Sequence, residues 1–102
     1  MKKRSVKKKI LLGFPEVSEV LKAMAHPDRI AIIDLLCNGG YERMTVKTIY
    51  ERLKMEQPVA SKHLGIMKRS GIMKRETEKN YAYFRLNMEN DIVICLSSYL
   101  KK

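Results

Sequence analysis

Apolar residues recur along the chain with two periods, and the change from one to the other separates helices from strands. Val17, Val20, Leu21 and Met24 fall on one helical face behind Pro15 and Glu16, which predicts a first helix over about 15–25. Pro27 opens a second helix whose stripe is Ile30, Ile33, Leu36 and Cys37. Ile32 and Leu35 widen that stripe, which predicts a place at the centre of the core, and Asn38-Gly39-Gly40 stops it. Thr45 caps a short third helix, with Val46, Ile49, Tyr50 and Leu53 inward and Lys47, Glu51, Arg52 and Lys54 outward. Lys54-Met55-Glu56 is then a turn.

A fourth helix begins at Pro58, with Glu56 or Gln57 at its cap, and ends at Gly71. Ala60, Leu64 and Met67 recur in it at the i, i+4, i+7 spacing of a narrow apolar stripe, leaving Gln57, Ser61, Lys62, His63, Lys68 and Arg69 on other faces. No acid interrupts the segment from Gln57 to Gly71. The period then shortens to two. Ile72 to Glu76 and Tyr81 to Leu86 read as strands, and in the second Ala82, Phe84 and Leu86 alternate with Tyr81, Tyr83 and Arg85. Thr77 to Asn80 supply the turn, with Asn80 the residue best suited to a left-handed conformation. Asn87 or Asn90 caps a last helix carrying Ile92, Val93, Cys95, Leu96, Tyr99 and Leu100 on more than one side, so its surface calls for a partner subunit.

The order is four helices, a hairpin and a C-terminal helix, a mainly α (α+β) fold. Two helices joined by a three- or four-residue turn, the second of them basic, make a helix-turn-helix, and a hairpin directly behind makes it winged. In that arrangement the fourth helix enters a DNA major groove and the tip residues Lys79, Asn80 and Tyr81 are placed to reach an adjacent minor groove.

Charge sharpens this picture. The chain of 102 residues carries a formal net charge of +10, with 21 bases against 11 acids. Much of the excess lies in the tails, at Lys2, Lys3, Arg4, Lys7, Lys8, Lys9, Lys101 and Lys102. Residues 54–85 hold eight bases and three acids, so the excess inside the fold sits on the fourth helix and the hairpin, where it can attract phosphate. Residues 1–13 are expected to form a flexible basic arm, and residues 14–102 a single winged-helix domain. The amino-terminal run is too charged for a signal peptide and no segment reaches the roughly 20 apolar residues that span a bilayer, so a cytoplasmic protein with no membrane association is expected.

Four motifs in register resemble the ArsR family of bacterial winged-helix repressors, over residues 17–100. Ala25-His26-Pro27-Asp28-Arg29-Ile30 is similar to the Ala-x-Pro-x-Arg-Leu opening of that family's second helix, and Gln57 to Leu64 to its Gln-x-x-x-Ser-x-His-Leu recognition helix. Ser70-Gly71-Ile72-Met73 and Tyr83-Phe84-Arg85-Leu86 match the helix exit and the second wing strand. The resemblance implies a homodimer built on the first and last helices, a double-stranded DNA partner containing an inverted repeat, and release on a signal. The wing tip departs from it: the family usually has glycine where this chain has Lys79-Asn80.

The family's contact positions fall on Gln57, Ser61 and Lys62, whose side chains suit adenine, phosphate or base, and guanine or phosphate respectively. Val59 belongs to the same exposed set. His63, beside the apolar stripe, is either a reader of DNA or a buried hydrogen-bonding group. Lys68, Arg69, Lys74 and Arg75 either clamp phosphates or are solvated charge. The candidate DNA-binding set is therefore Gln57, Val59, Ser61, Lys62, His63, Lys68, Arg69, Arg75, Lys79, Asn80 and Tyr81.

Metal-sensing relatives carry a Cys-Val-Cys pair at the third helix or an Asp, His and Glu set on the last, and this chain has neither, so no metal or cofactor is expected. Cys37 and Cys95 lie on the second and last helices, where some relatives bridge cysteines to sense oxidants. Core packing is the other reading of these two residues. No nucleophile with an oriented base and no phosphate-cradling glycine loop is present, which argues against an enzyme. A backbone-gripping RNA or architectural winged helix is the alternative, and a protein-interaction module a third.

Overall fold

The computed structural model describes residues 13–102, so the basic arm, apart from Gly13, lies outside the described residues. The chain runs α1 (Phe14–Met24), α2 (Pro27–Asn38), β1 (Arg43–Thr45), α3 (Val46–Leu53), α4 (Gln57–Arg69), β2 (Met73–Glu78), β3 (Tyr81–Leu86) and α5 (Asp91–Leu100). Side chains cap the starts of three helices. Thr45 accepts from the backbone N–H of Thr48 at the head of α3, and Asn90 accepts from those of Ile92 and Val93 at the head of α5. At α2 the cap is His26, whose Nδ1 accepts from the N–H of Asp28 ahead of Pro27.

The three strands form one antiparallel sheet in the order β1-β3-β2. β1 is an addition to the sequence expectation, pairing Arg43, Met44 and Thr45 with Arg85, Phe84 and Tyr83. The hairpin is also tighter than its composition suggests. β2 continues to Glu78, opposite Tyr81, so that only Lys79 and Asn80 remain in the loop. The left-handed residue is Lys79, at φ 58°, and not Asn80. A two-residue hairpin loop favours positive φ at its first position, and the register puts lysine there.

Ile32, Ile33, Ile49, Leu64, Met67, Ile72 and Val93 are the largest fully buried side chains, drawn from α2, α3, α4, the start of the wing and α5. The face of α2 that packs is the one carrying Ile32, Ile33, Leu35 and Leu36. That face is rotated from the expected stripe, and Ile30 is left on the surface. Asn87 and Asn90 both donate to the carbonyl oxygen of Gly71, tying the exit of α4 to the entry of α5. Asn38 donates to the carbonyl oxygen of Leu100, holding the far end of α5 on α2.

Candidate nucleic-acid interface

The α3–α4 pair is joined by Lys54, Met55 and Glu56, with Lys54 left-handed at φ 57° as the C-cap of α3. Its N–H is bonded back to α3, which turns the chain sharply enough to set α4 across α3. α4 buries Ala60, His63, Leu64 and Met67. Gln57, Val59, Ser61, Lys62, Lys68 and Arg69 are thereby left exposed on the opposite sides of the helix. No acidic residue sits in its first turn and no side chain caps its N-terminus, where Glu56 is the N-cap residue.

His63 departs from the rest of the predicted set. It is 5% exposed, and Nε of Arg29 donates to its Nδ1 at 3.1 Å while its Nε2 lies 3.5 Å from Oδ2 of Asp28. A ring held on both edges by α2 has no surface left for DNA, so His63 leaves the contact set. Burial depresses its pKa, the electrostatic effects of His26 and Arg29 add to that, and Asp28 opposes them. The neutral ring is the one that can accept from Arg29.

His26, Asp28 and His63 bring potential ligand atoms within 4.8 Å of one another, which has the outline of a cation site. The hydrogen bonds argue against that use. Nδ1 of His26 accepts from the N–H of Asp28 and Nδ1 of His63 accepts from Arg29, so each neutral ring carries its proton on Nε2. Neither ring then offers a metal its second nitrogen, and the Arg29 guanidinium places a positive charge beside the cluster. The arrangement positions α4 against α2 and does not fit a metal.

The wing sorts its cations by face. On the outer face Arg43 of β1 bonds Glu76 and Glu78, Arg85 bonds Glu76 at 2.9 Å, and the Arg43 guanidinium lies 4.1 Å above the Tyr83 ring. That network lowers the pKa of Glu76, chiefly through its bonds from Arg85 and Arg43. Lys74 pairs with Glu89 at 3.1 Å, so it is not a free phosphate clamp. Arg75 lies on the other face with Met73 and Phe84, beyond the packed region, and is exposed. Among the described residues Lys62, Lys68, Arg69, Arg75 and Lys79 make no ion pair, while Arg43, Lys74 and Arg85 do. Asn80 and Tyr81 are exposed at the tip, and Tyr81 leans on Tyr83 with ring centroids 6.3 Å apart.

Cys37 and Cys95 are free thiols, the first half-buried and the second exposed on α5. Cys37 opens onto a cavity of about 270 Å³ shared with Leu36, Arg85, Ser97 and Lys101. Burial raises its pKa, Asp34 raises it further and Lys101 opposes them, so it stays a thiol at neutral pH, the less reactive form. One residue of the site escaped sequence reasoning. Arg29 was visible only as part of a motif, because its partner His63 stands 34 positions away.

A helix-turn-helix domain family model matches residues 24–76. The chain is 35% identical to the HTH-type transcriptional regulator MJ1325 of Methanocaldococcus jannaschii over 71 residues, 70% of this chain and 78% of that protein. It is 32% identical to the transcriptional repressor SdpR of Bacillus subtilis over 70% of this chain and 76% of that one. Among solved structures, the transcriptional repressor PagR of Bacillus anthracis superposes with a TM-score of 0.74 at 30% identity, over 85% of this chain and 94% of PagR. The homodimeric winged helix-turn-helix DNA-binding domain of Mb0332 from Mycobacterium bovis, a possible ArsR-family regulator, gives 0.71 at 28% identity, over 84% of this chain and 75% of that one. With the helix-turn-helix, the hairpin wing and the terminal helix all in place, this chain belongs to the ArsR family of winged helix-turn-helix transcriptional regulators.

Proposed function

We propose that the chain is a dimeric repressor that binds an inverted-repeat operator in double-stranded DNA, each protomer placing α4 in a major groove and Lys79, Asn80 and Tyr81 against the neighbouring backbone or minor groove. The observation that carries this reading is the sorting of charge. Five cations without an ion pair, Lys62, Lys68, Arg69, Arg75 and Lys79, lie on the exposed side of α4 and on the wing, while the outer wing face neutralises itself. Gln57, Ser61 and Lys62 are the residues assigned to base edges, and Lys68, Arg69 and Arg75 those assigned to phosphates.

Phe14 and Leu21 on α1 and Tyr99 on α5 are 91%, 51% and 84% exposed, and α1 packs against α5 within the chain. Apolar side chains so placed suit a second copy related by a two-fold axis, which would set two α4 helices about one DNA turn, ~34 Å, apart. Among the described residues no helix is long and apolar enough to cross a membrane, and a DNA partner supports a cytoplasmic location.

Footprinting on the DNA upstream of the gene, combined with sedimentation of the free protein, tests the proposal. Two symmetric protected halves and a dimer are expected. A monomer, or uniform protection of every sequence, would point instead to a backbone-binding winged helix.

A further inference from the structure

Of the glycines in the described residues, Gly65 is the one inside a helix, in the middle of the 13-residue α4. Glycine there weakens a helix relative to alanine. Three of the other four glycines have a reason within the fold. Gly40 and Gly71 hold φ of +99° and +79°, and a side chain at Gly39 would run into the carbonyl oxygen of Leu35 at 2.4 Å. Gly65 has no such reason. Its φ is not positive, and an added Cβ would meet only the end of the Arg69 side chain, at an ordinary 3.5 Å. Nothing inside the protein needs a glycine at this position.

Its neighbours on the helix surface are informative. Ser61 and Arg69 stand one turn before and after it, and Lys62 and Lys68 flank it at three residues on either side, all four exposed. Gly65 is thus a half-exposed patch of backbone framed by three cations and a hydroxyl on the face assigned to DNA. Resting on that assignment, we propose that Gly65 is where the α4 backbone approaches the duplex most closely, and that its missing side chain sets how deeply the helix seats. Depth matters because the short Ser61 side chain reaches a base edge, and the Gln57 amide pairs with one through both its atoms, only when the helix axis lies close to the groove floor. A methyl group at Gly65 would hold the axis away and cost sequence reading more than general attraction to phosphate. Gly65 is a positioning residue in this scheme.

Wild-type protein is used to enrich a duplex from a random-sequence library, and affinity for that duplex and for a scrambled one is measured at fixed salt for wild type, Gly65→Ala and Gly65→Leu. Thermal unfolding is recorded for all three. Gly65→Ala is expected to raise the unfolding midpoint by a few degrees, to bind the enriched duplex at least tenfold more weakly, and to change scrambled-duplex affinity less than twofold; Gly65→Leu should weaken specific binding further. Unchanged affinity of Gly65→Ala for the enriched duplex overturns the seating role while leaving the regulator reading intact. A lowered unfolding midpoint for Gly65→Ala overturns it too, by showing that the glycine serves the fold. Failure of the wild-type protein to enrich any sequence removes the regulator reading, and the seating role with it.

Discussion

Arg29 donates from Nε to Nδ1 of His63 at 3.1 Å, and from Nη1 of the same guanidinium to the carbonyl oxygen of Ala23 at 3.0 Å. One side chain therefore joins the end of α1, the start of α2 and the middle of the recognition helix. The rotation of α4, and hence which residues it shows to DNA, depends on this fork and on the apolar stripe of Ala60, Leu64 and Met67 beneath it.

Loss of the fork should be felt in stability. Arg29→Ala removes the donors to a buried acceptor and a backbone carbonyl, for an expected loss of about 2 kcal/mol, and Arg29→Lys should recover only part because a single ammonium cannot span both acceptors. Urea unfolding of the three proteins measures this. Equal midpoints for Arg29→Ala and wild type would show that the fork is incidental.

Protonation should open the same contact. His63 has a pKa below its ordinary 6.5 in the folded protein. The unfolded chain therefore binds a proton first, and the stabilisation is complete above about pH 6.5 and is lost as pH falls from there through the depressed folded value. Unfolding midpoints between pH 7.5 and 5.5 should fall for wild type and stay flatter for His63→Asn, which keeps an acceptor for Arg29 but cannot titrate in this range. Parallel slopes for the two proteins would place the pH dependence elsewhere.

Lys79 carries a left-handed backbone at the tip of the wing, a conformation in which a side chain is unfavourable and glycine is not. Lys79→Gly is expected to stabilise the protein by up to about 1 kcal/mol, and to weaken DNA binding a few-fold by removing a charge from the tip. Both effects are read from thermal melts and equilibrium titrations of one preparation. A loss of stability would contradict the backbone argument.

The division between paired and unpaired cations predicts salt dependence. Binding of the Lys68→Ala, Arg69→Ala double variant should show a log–log salt slope shallower by about 2 per protomer, the signature of two lost phosphate contacts. Glu76→Gln, which alters only the outer-face network with Arg43 and Arg85, should leave the slope unchanged. The reverse ranking would put the outer wing face on the DNA.

Periodicity sufficed for the helices because each buries a continuous stripe. It misplaced Ile30, since α2 is apolar on most of its circumference and only tertiary packing selects the face of Ile32, Ile33, Leu35 and Leu36. β1 was invisible for a different reason. Three residues with one buried side chain, Met44, have no period of their own, and their strand character is conferred by Tyr83, Phe84 and Arg85 of β3. The polar pair Thr77-Glu78 has the composition of a loop but lies opposite Ala82 and Tyr81 in the ladder, which moved the left-handed position from Asn80 to Lys79. Within the site, the exposure of Gln57, Ser61 and Lys62 followed from the stripe on α4. The burial of His63 did not, because it depends on Arg29 and Asp28 of another helix.

The most direct test of the central claim is the ratio of affinities for an operator duplex and for a scrambled duplex of equal length, at one salt concentration, for wild type and for a Gln57→Ala, Lys62→Ala variant. The wild-type ratio should be on the order of 10³ or more, and the variant ratio should fall close to one with its dimeric state unchanged. A wild-type ratio near one, or a variant that discriminates as well as wild type, would contradict the assignment of base reading to the exposed face of α4.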